Sequence, residues 1–236
     1  MSATIQRLPE DVREVTWRFL AGAGAGAIVG LVIGGVGGRV AMLALRLASD
    51  DSLHGMQTDD SFGIGRVTTA TFFLLVVTAG LGGASGVIYV VLRTALPRRG
   101  RAVLLGVVAA LYTGADIVKP AGLDFTRLDP KPFAIASFVV LPGLAAFTIA
   151  VVVERLLAVE PWSNRWLTVV LTLGALPLNV VLVGVAAIAG VALALRRSRS
   201  VAGPLLTVAR VVVPLALVAL AVRSGVELWR DANAIL

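Results

Sequence analysis

Few residues in this 236-residue chain are of a type that does chemistry, and most of them sit in or beside long apolar runs. His54, the only histidine, lies near Asp50, Asp51, Asp59 and Asp60. One imidazole among carboxylates could hold a divalent cation. The spacing matches no recognised ligand pattern, so a solvated acidic loop is the simpler account. Four polar residues fall within or at the ends of apolar runs: Arg39, Asp116, Asn179 and Arg210. Charges in lipid are costly and usually face the protein interior or a wet cavity. Their inferred depths are similar, so they are expected to form an intramembrane polar cluster in the outer half of the bilayer. Arg46, seven residues after Arg39, shares its helix face. The cluster would serve either as an ion path opening outward or as an Arg–Asp pair that locks helices, with other arginines snorkelling to headgroups.

A second candidate is Gly83-Ala84-Ser85-Gly86, which matches the G-x-S-G string of rhomboid intramembrane proteases. That family needs a histidine on a later span, and His54 precedes Ser85. Without a base, serine is a weak nucleophile, so Ser85 reads as a small packing residue. The chain has no cysteine, which removes thiol chemistry, cysteine-bound metal and disulfides. The glycines at 34–38 follow no strand and form no nucleotide loop. No nucleophile–base pair or metal set can be assembled. The chain is therefore expected not to be an enzyme and to carry no cofactor and no metal.

What must position these residues is a set of helices. Hydrophobic residues make up 58% of the chain, against about 45–50% in soluble domains. They fall in six runs, at 19–38, 67–92, 102–118, 133–153, 167–195 and 204–222. About 20 apolar residues in a helix cross a hydrocarbon core. The expected fold is an all-α polytopic transmembrane bundle of about six spans, with close, glycine-rich helix packing. Residues 1–18 form an interfacial segment and 19–236 a single membrane domain. No cleaved signal peptide is evident, because Glu10, Asp11 and Glu14 precede a long glycine-rich run.

Arginine placement sets the expected orientation. Arg7, Arg13 and Arg18 precede the first run, so the N-terminus should be cytoplasmic. The acidic loop 49–66 then lies outside, and loop 93–101, with Arg93, Arg98, Arg99 and Arg101, inside. Loop 119–132 falls outside, while loop 154–166 and the C-terminus fall inside. One loop conflicts: Arg196, Arg197 and Arg199 would be outside. Pro177 and Asn179 interrupt the fifth run, which is either one kinked helix, the preferred reading, or a broken pair that returns to the inner side.

The strongest local pattern is Gly22, Gly26, Gly30, Gly34 and Gly38, one glycine every four residues. Such a stripe lets another backbone approach closely. The second run offers a matching surface in Gly80, Gly82, Gly83 and Gly86. The first span is expected to pack against the second at the centre of the bundle.

The net charge of +7 is almost all arginine, flanking the runs. It fits topology and anionic lipid rather than nucleic acid. The strings GGVGGRVAM at 34–42 and GLDFTRLDP at 122–130 resemble uncharacterised multi-pass membrane proteins of high-GC Gram-positive bacteria. The resemblance implies nothing about mechanism; the expected location is the bacterial plasma membrane. Expected partners are the bilayer with its anionic lipids and another membrane protein or a second copy of the chain. The expected function is a non-catalytic subunit or scaffold of a membrane complex. The alternative is a small-solute or ion transporter or channel built on the polar cluster, and an intramembrane enzyme ranks third.

Overall fold

The computed structural model describes residues 10–49, 69–122, 125, 129–175 and 199–236. Every regular element among them is helical. The helices are α1 (Glu10–Val29), α2 (Gly38–Ala48), α3 (Thr69–Leu92), α4 (Arg101–Ile117), α5 (Lys131–Leu157), α6 (Arg165–Ala175) and α7 (Arg199–Ile235). A π-helical segment, Gly30–Gly37, joins α1 to α2 without a break. Four stretches are helical, long and apolar enough to cross a membrane: Val12–Ala48, Thr71–Leu92, Lys131–Leu157 and Leu206–Ile235. The third apolar run makes a 17-residue helix, α4, and the fifth contributes the 11 residues of α6. The rest of the fifth run, with Pro177 and Asn179, lies outside the described residues.

The bundle has two ends. At one end the start of α1, the close of α3 and α5, and the starts of α4 and α6 come together. Trp17 of α1 packs on Trp162, just before α6, with ring centroids 5.5 Å apart. The Trp162 indole donates to the Arg13 carbonyl at 3.4 Å. At the other end Leu45, Val118, Phe125, Ala134 and Ile235 form a buried cluster. There the Ser49 hydroxyl donates to the Asp129 carbonyl and accepts from the Asp129 N–H, each at 3.0 Å.

α7 runs parallel to α4. Arg210 and Pro214 lie beside residues 93–101 at the first end, and Asp231 pairs with Lys119 at the second, at 3.3 Å. α6 and α7 thus both begin at the arginine-rich end. Among the described residues, α1 begins at the arginine-rich end and α7 finishes at the other.

α1 is central and touches α3, α5 and α6. Its seam with α3 is backbone on backbone. Added Cβ atoms at Gly22, Gly26 and Gly30 would run into the carbonyl oxygens of Gly86, Gly82 and Thr78 respectively. The same atoms at Gly82 and Gly86 would strike Gly26 and Gly22. On another side of α1, Gly24 lies against the Leu171 backbone of α6. A third close approach joins α4 and α5, where Gly106 and Gly143 face each other across carbonyls.

The stripe does not continue as the four-residue spacing predicts. Among the described residues a Cβ at Gly38 would meet nothing within 4 Å, and one at Gly34 would touch only Thr78, at 3.4 Å. Gly35 is buried instead, tight against Leu75 and Thr78. The cause is the π segment. Its hydrogen bonds skip five residues rather than four, so the position in line after Gly30 is Gly35.

Leucine at Gly30 should therefore drive α1 and α3 apart and cost about 1–3 kcal/mol or more, the usual penalty of overpacking. Leucine at Gly38 should be nearly silent. Melting of the two variants in detergent checks this: equal losses would mean that the seam is not the close contact described.

Candidate functional site

The residues able to do chemistry collect at the arginine-rich end. α3 stops at Leu92, and the chain turns through residues 93–100 before α4. The Arg93 N–H still bonds the Tyr89 carbonyl at 2.8 Å, and Leu96 N–H closes onto Leu92 at 3.1 Å. Ala95 and Leu96 are buried and pin the turn. Gly100 takes φ +82°, a conformation open to glycine at little cost, and releases the chain into α4.

Glu154, one turn before the end of α5, is the hub. The Tyr89 hydroxyl donates to its Oε1 at 2.6 Å. Arg93 grips it with both prongs, Nε to Oε1 at 2.8 Å and Nη2 to Oε2 at 3.0 Å. Arg101 pairs with Oε2 from the start of α4. Its other prong reaches the Arg93 carbonyl at 3.5 Å. Two-pronged guanidinium–carboxylate pairs are among the stronger polar contacts. The side chains are only 14–27% exposed, so one carboxylate fastens three helices. An acid at the end of a span, on a side otherwise rich in arginine, was the available sequence signal. Arginines that flank a run also serve orientation, which masks their pairing with an acid on another helix.

Beside this hub lies a cavity of about 750 Å³, lined by Arg93, Arg98, Arg101 and Arg210 together with Thr94, Pro97 and Pro214. Arg98 and Arg210 are exposed. Among the described residues neither makes a hydrogen bond or an ion pair. Four guanidinium groups thus face one carboxylate. The chemistry available is recognition of an anion.

The expected intramembrane cluster does not assemble. Arg210 is at the arginine-rich end, whereas Asp116 is exposed in the last turn of α4. By helix rise the two ends of α4 are roughly 20 Å apart. Arg39 is elsewhere again: it donates to the Thr71 hydroxyl of α3, with Met42 Sδ 4.0 Å from its Nη1. Depth along separate runs carries no information about which helices are neighbours, so similar depth did not mean contact. Arg46 is half-buried near the far end. Asn179, His54 and the four nearby aspartates lie outside the described residues. Ser85 is exposed, and its hydroxyl is spent on the Leu81 carbonyl at 2.8 Å. Among the described residues no three acidic or histidine side chains gather as a metal would require.

Replacing Glu154 with glutamine removes the charge that Arg93 and Arg101 share. The variant should lose about 1–3 kcal/mol of stability, less than a fully buried pair because all three groups touch solvent. The same change at nothing but a neighbour, Arg155→Gln on the exposed side of α5, should cost little; thermal melts of both settle the point. No family model, curated protein or solved structure matches the chain.

Proposed function

We propose that the chain is a multi-pass protein of a bacterial plasma membrane and serves as a non-catalytic subunit or scaffold of a membrane complex. Its arginine-rich end would face the cytoplasm, following the positive-inside bias. The N-terminus would then be cytoplasmic and Leu236 external, with the starts of α6 and α7 both on the inner side.

A single observation carries the complex reading. Among the described residues α7 packs mainly on α4 and leaves one side of its middle open. On the open side Arg223 and Glu227 form a 3.1 Å pair, with side chains 78% and 46% exposed. Gly225, between them, touches Leu111 in the middle of α4. An ion pair at mid-span is costly against lipid. Covered by another membrane protein, it would have polar company. The flanking Val218, Val222 and Val226 are exposed too and extend an apolar contact surface. The seam glycines of α1 are used within the subunit, and α7 is the apolar surface that also carries a mid-helix ion pair. A transporter needs polar groups through the depth of the bundle. Among the described residues few polar side chains are buried: Thr71, Ser224 and, at the arginine-rich end, Tyr89, which favours the scaffold over that alternative.

Tagged protein purified in mild detergent should carry a stoichiometric partner or run as a stable homo-oligomer, and Arg223→Leu should weaken that assembly. A lone monomer stabilised by one small solute would instead support the transporter, since ligands of the folded state stabilise it. Topology is checked separately by single cysteines in this cysteine-free chain. Positions 99 and 206 should label from one side and position 236 from the other.

A further inference from the structure

We infer that the cavity at the arginine-rich end binds a phosphate-bearing anion, and that its source is the headgroup of an anionic phospholipid. Three observations meet there. The cavity is large enough for a headgroup, about 750 Å³, inside the usual range for small-molecule sites. Its wall carries four arginines, and guanidinium matches phosphate oxygens with paired donors. Glu154 already occupies Arg93 and Arg101, while Arg98 and Arg210 are exposed and bonded to no described residue. The two come from different elements, the turn before α4 and α7, so one phosphate held between them would tie α7 to the rest of the bundle at this end. α4 also begins at the cavity wall, and the positive end of its dipole adds to the field.

The lipid source follows from what adjoins Arg210. Val208, Val211, Val212 and Leu215 leave an exposed apolar surface on α7 running away from the cavity. A phosphate seated at Arg98 and Arg210 would send acyl chains along it. A free phosphate would use the arginines and leave this surface untouched. The choice of lipid rests on the membrane reading above; the anion chemistry does not.

The test is a titration of the full chain in dodecyl maltoside, following Tm by tryptophan fluorescence. The three additives are phosphatidylglycerol, phosphatidylcholine and inorganic phosphate. Phosphatidylglycerol should raise Tm by several degrees, and phosphatidylcholine should not. The Arg98→Gln/Arg210→Gln variant should need about tenfold more phosphatidylglycerol for the same shift, as loss of charge-assisted bonds implies. Arg98→Gln alone, on an exposed turn, should fall between and guards against a fold defect in the pair. The Arg99→Gln/Arg165→Gln variant removes the same charge outside the cavity and should respond like the parent. A matching shift with millimolar phosphate alone, dependent on Arg98 and Arg210, would keep the anion site and make its source a soluble oxyanion. Equal shifts with both lipids, or equal weakening in the Arg99/Arg165 variant, would overturn the site. If the chain left membranes without detergent, the membrane reading would fail, while the phosphate arm would still judge the cavity.

Discussion

The structure depends on how closely α1 and α3 approach. Their seam is glycine to glycine, and nothing larger fits between the carbonyls. In water, burial of large side chains would hold two helices together. Between helices this small, the attraction is dispersion between backbones, which grows only when they come very near. Once α1 and α3 are locked, α1 is free on its other sides to take α5 and α6, and Gly24 lets α6 in equally closely. The remaining interior fills with Trp17, Tyr89, Ile149, Val153 and Leu171 around the shared axis.

Apart from the Arg223–Glu227 pair on the outer side of α7, the ion pairs between helices lie at the two ends as a result. A glycine seam has no room for a polar side chain, and the helix ends are where the chain can carry arginine without burying it. At one end Glu154 collects the cations and fastens α3, α4 and α5. At the other, Lys119 and Asp231 tie α4 to α7, and the Lys119 ammonium also caps the Ala115 carbonyl at 2.6 Å. The two ends are not equal. The first keeps Arg98 and Arg210 beside a cavity; the second pairs Lys119 with Asp231 and holds an apolar cluster.

The helical class was legible because long uncharged runs leave no other solution for the backbone. The seam partners were legible too, since small residues at fixed spacing have few other uses. Which of the six runs would form helices long enough to cross a membrane was not, since α4 ends at 17 residues and α6 is described over 11. Nor was the Glu154 hub. Its members are 61 and 65 residues apart in sequence, and no periodicity links a tyrosine and an arginine on one helix to a carboxylate two helices later. The expected Arg210–Asp116 contact failed for the same reason in reverse: equal depth was visible, but the angular order of the helices was not.

The π segment sets more than the local path of the seam. Each residue in an α-helix turns the chain by about 100°, so one extra residue in the wide turn rotates everything beyond it by that angle. α2 therefore does not continue the face that α1 presents. Its rotational phase is reset within eight residues, four of them glycine. That reset aims Arg39 at Thr71 and turns Gly38 away from the bundle. The glycine run thus works as a joint of fixed setting, in which the length of the run, counted in single residues, decides which side chains the second half of the helix shows to its neighbours.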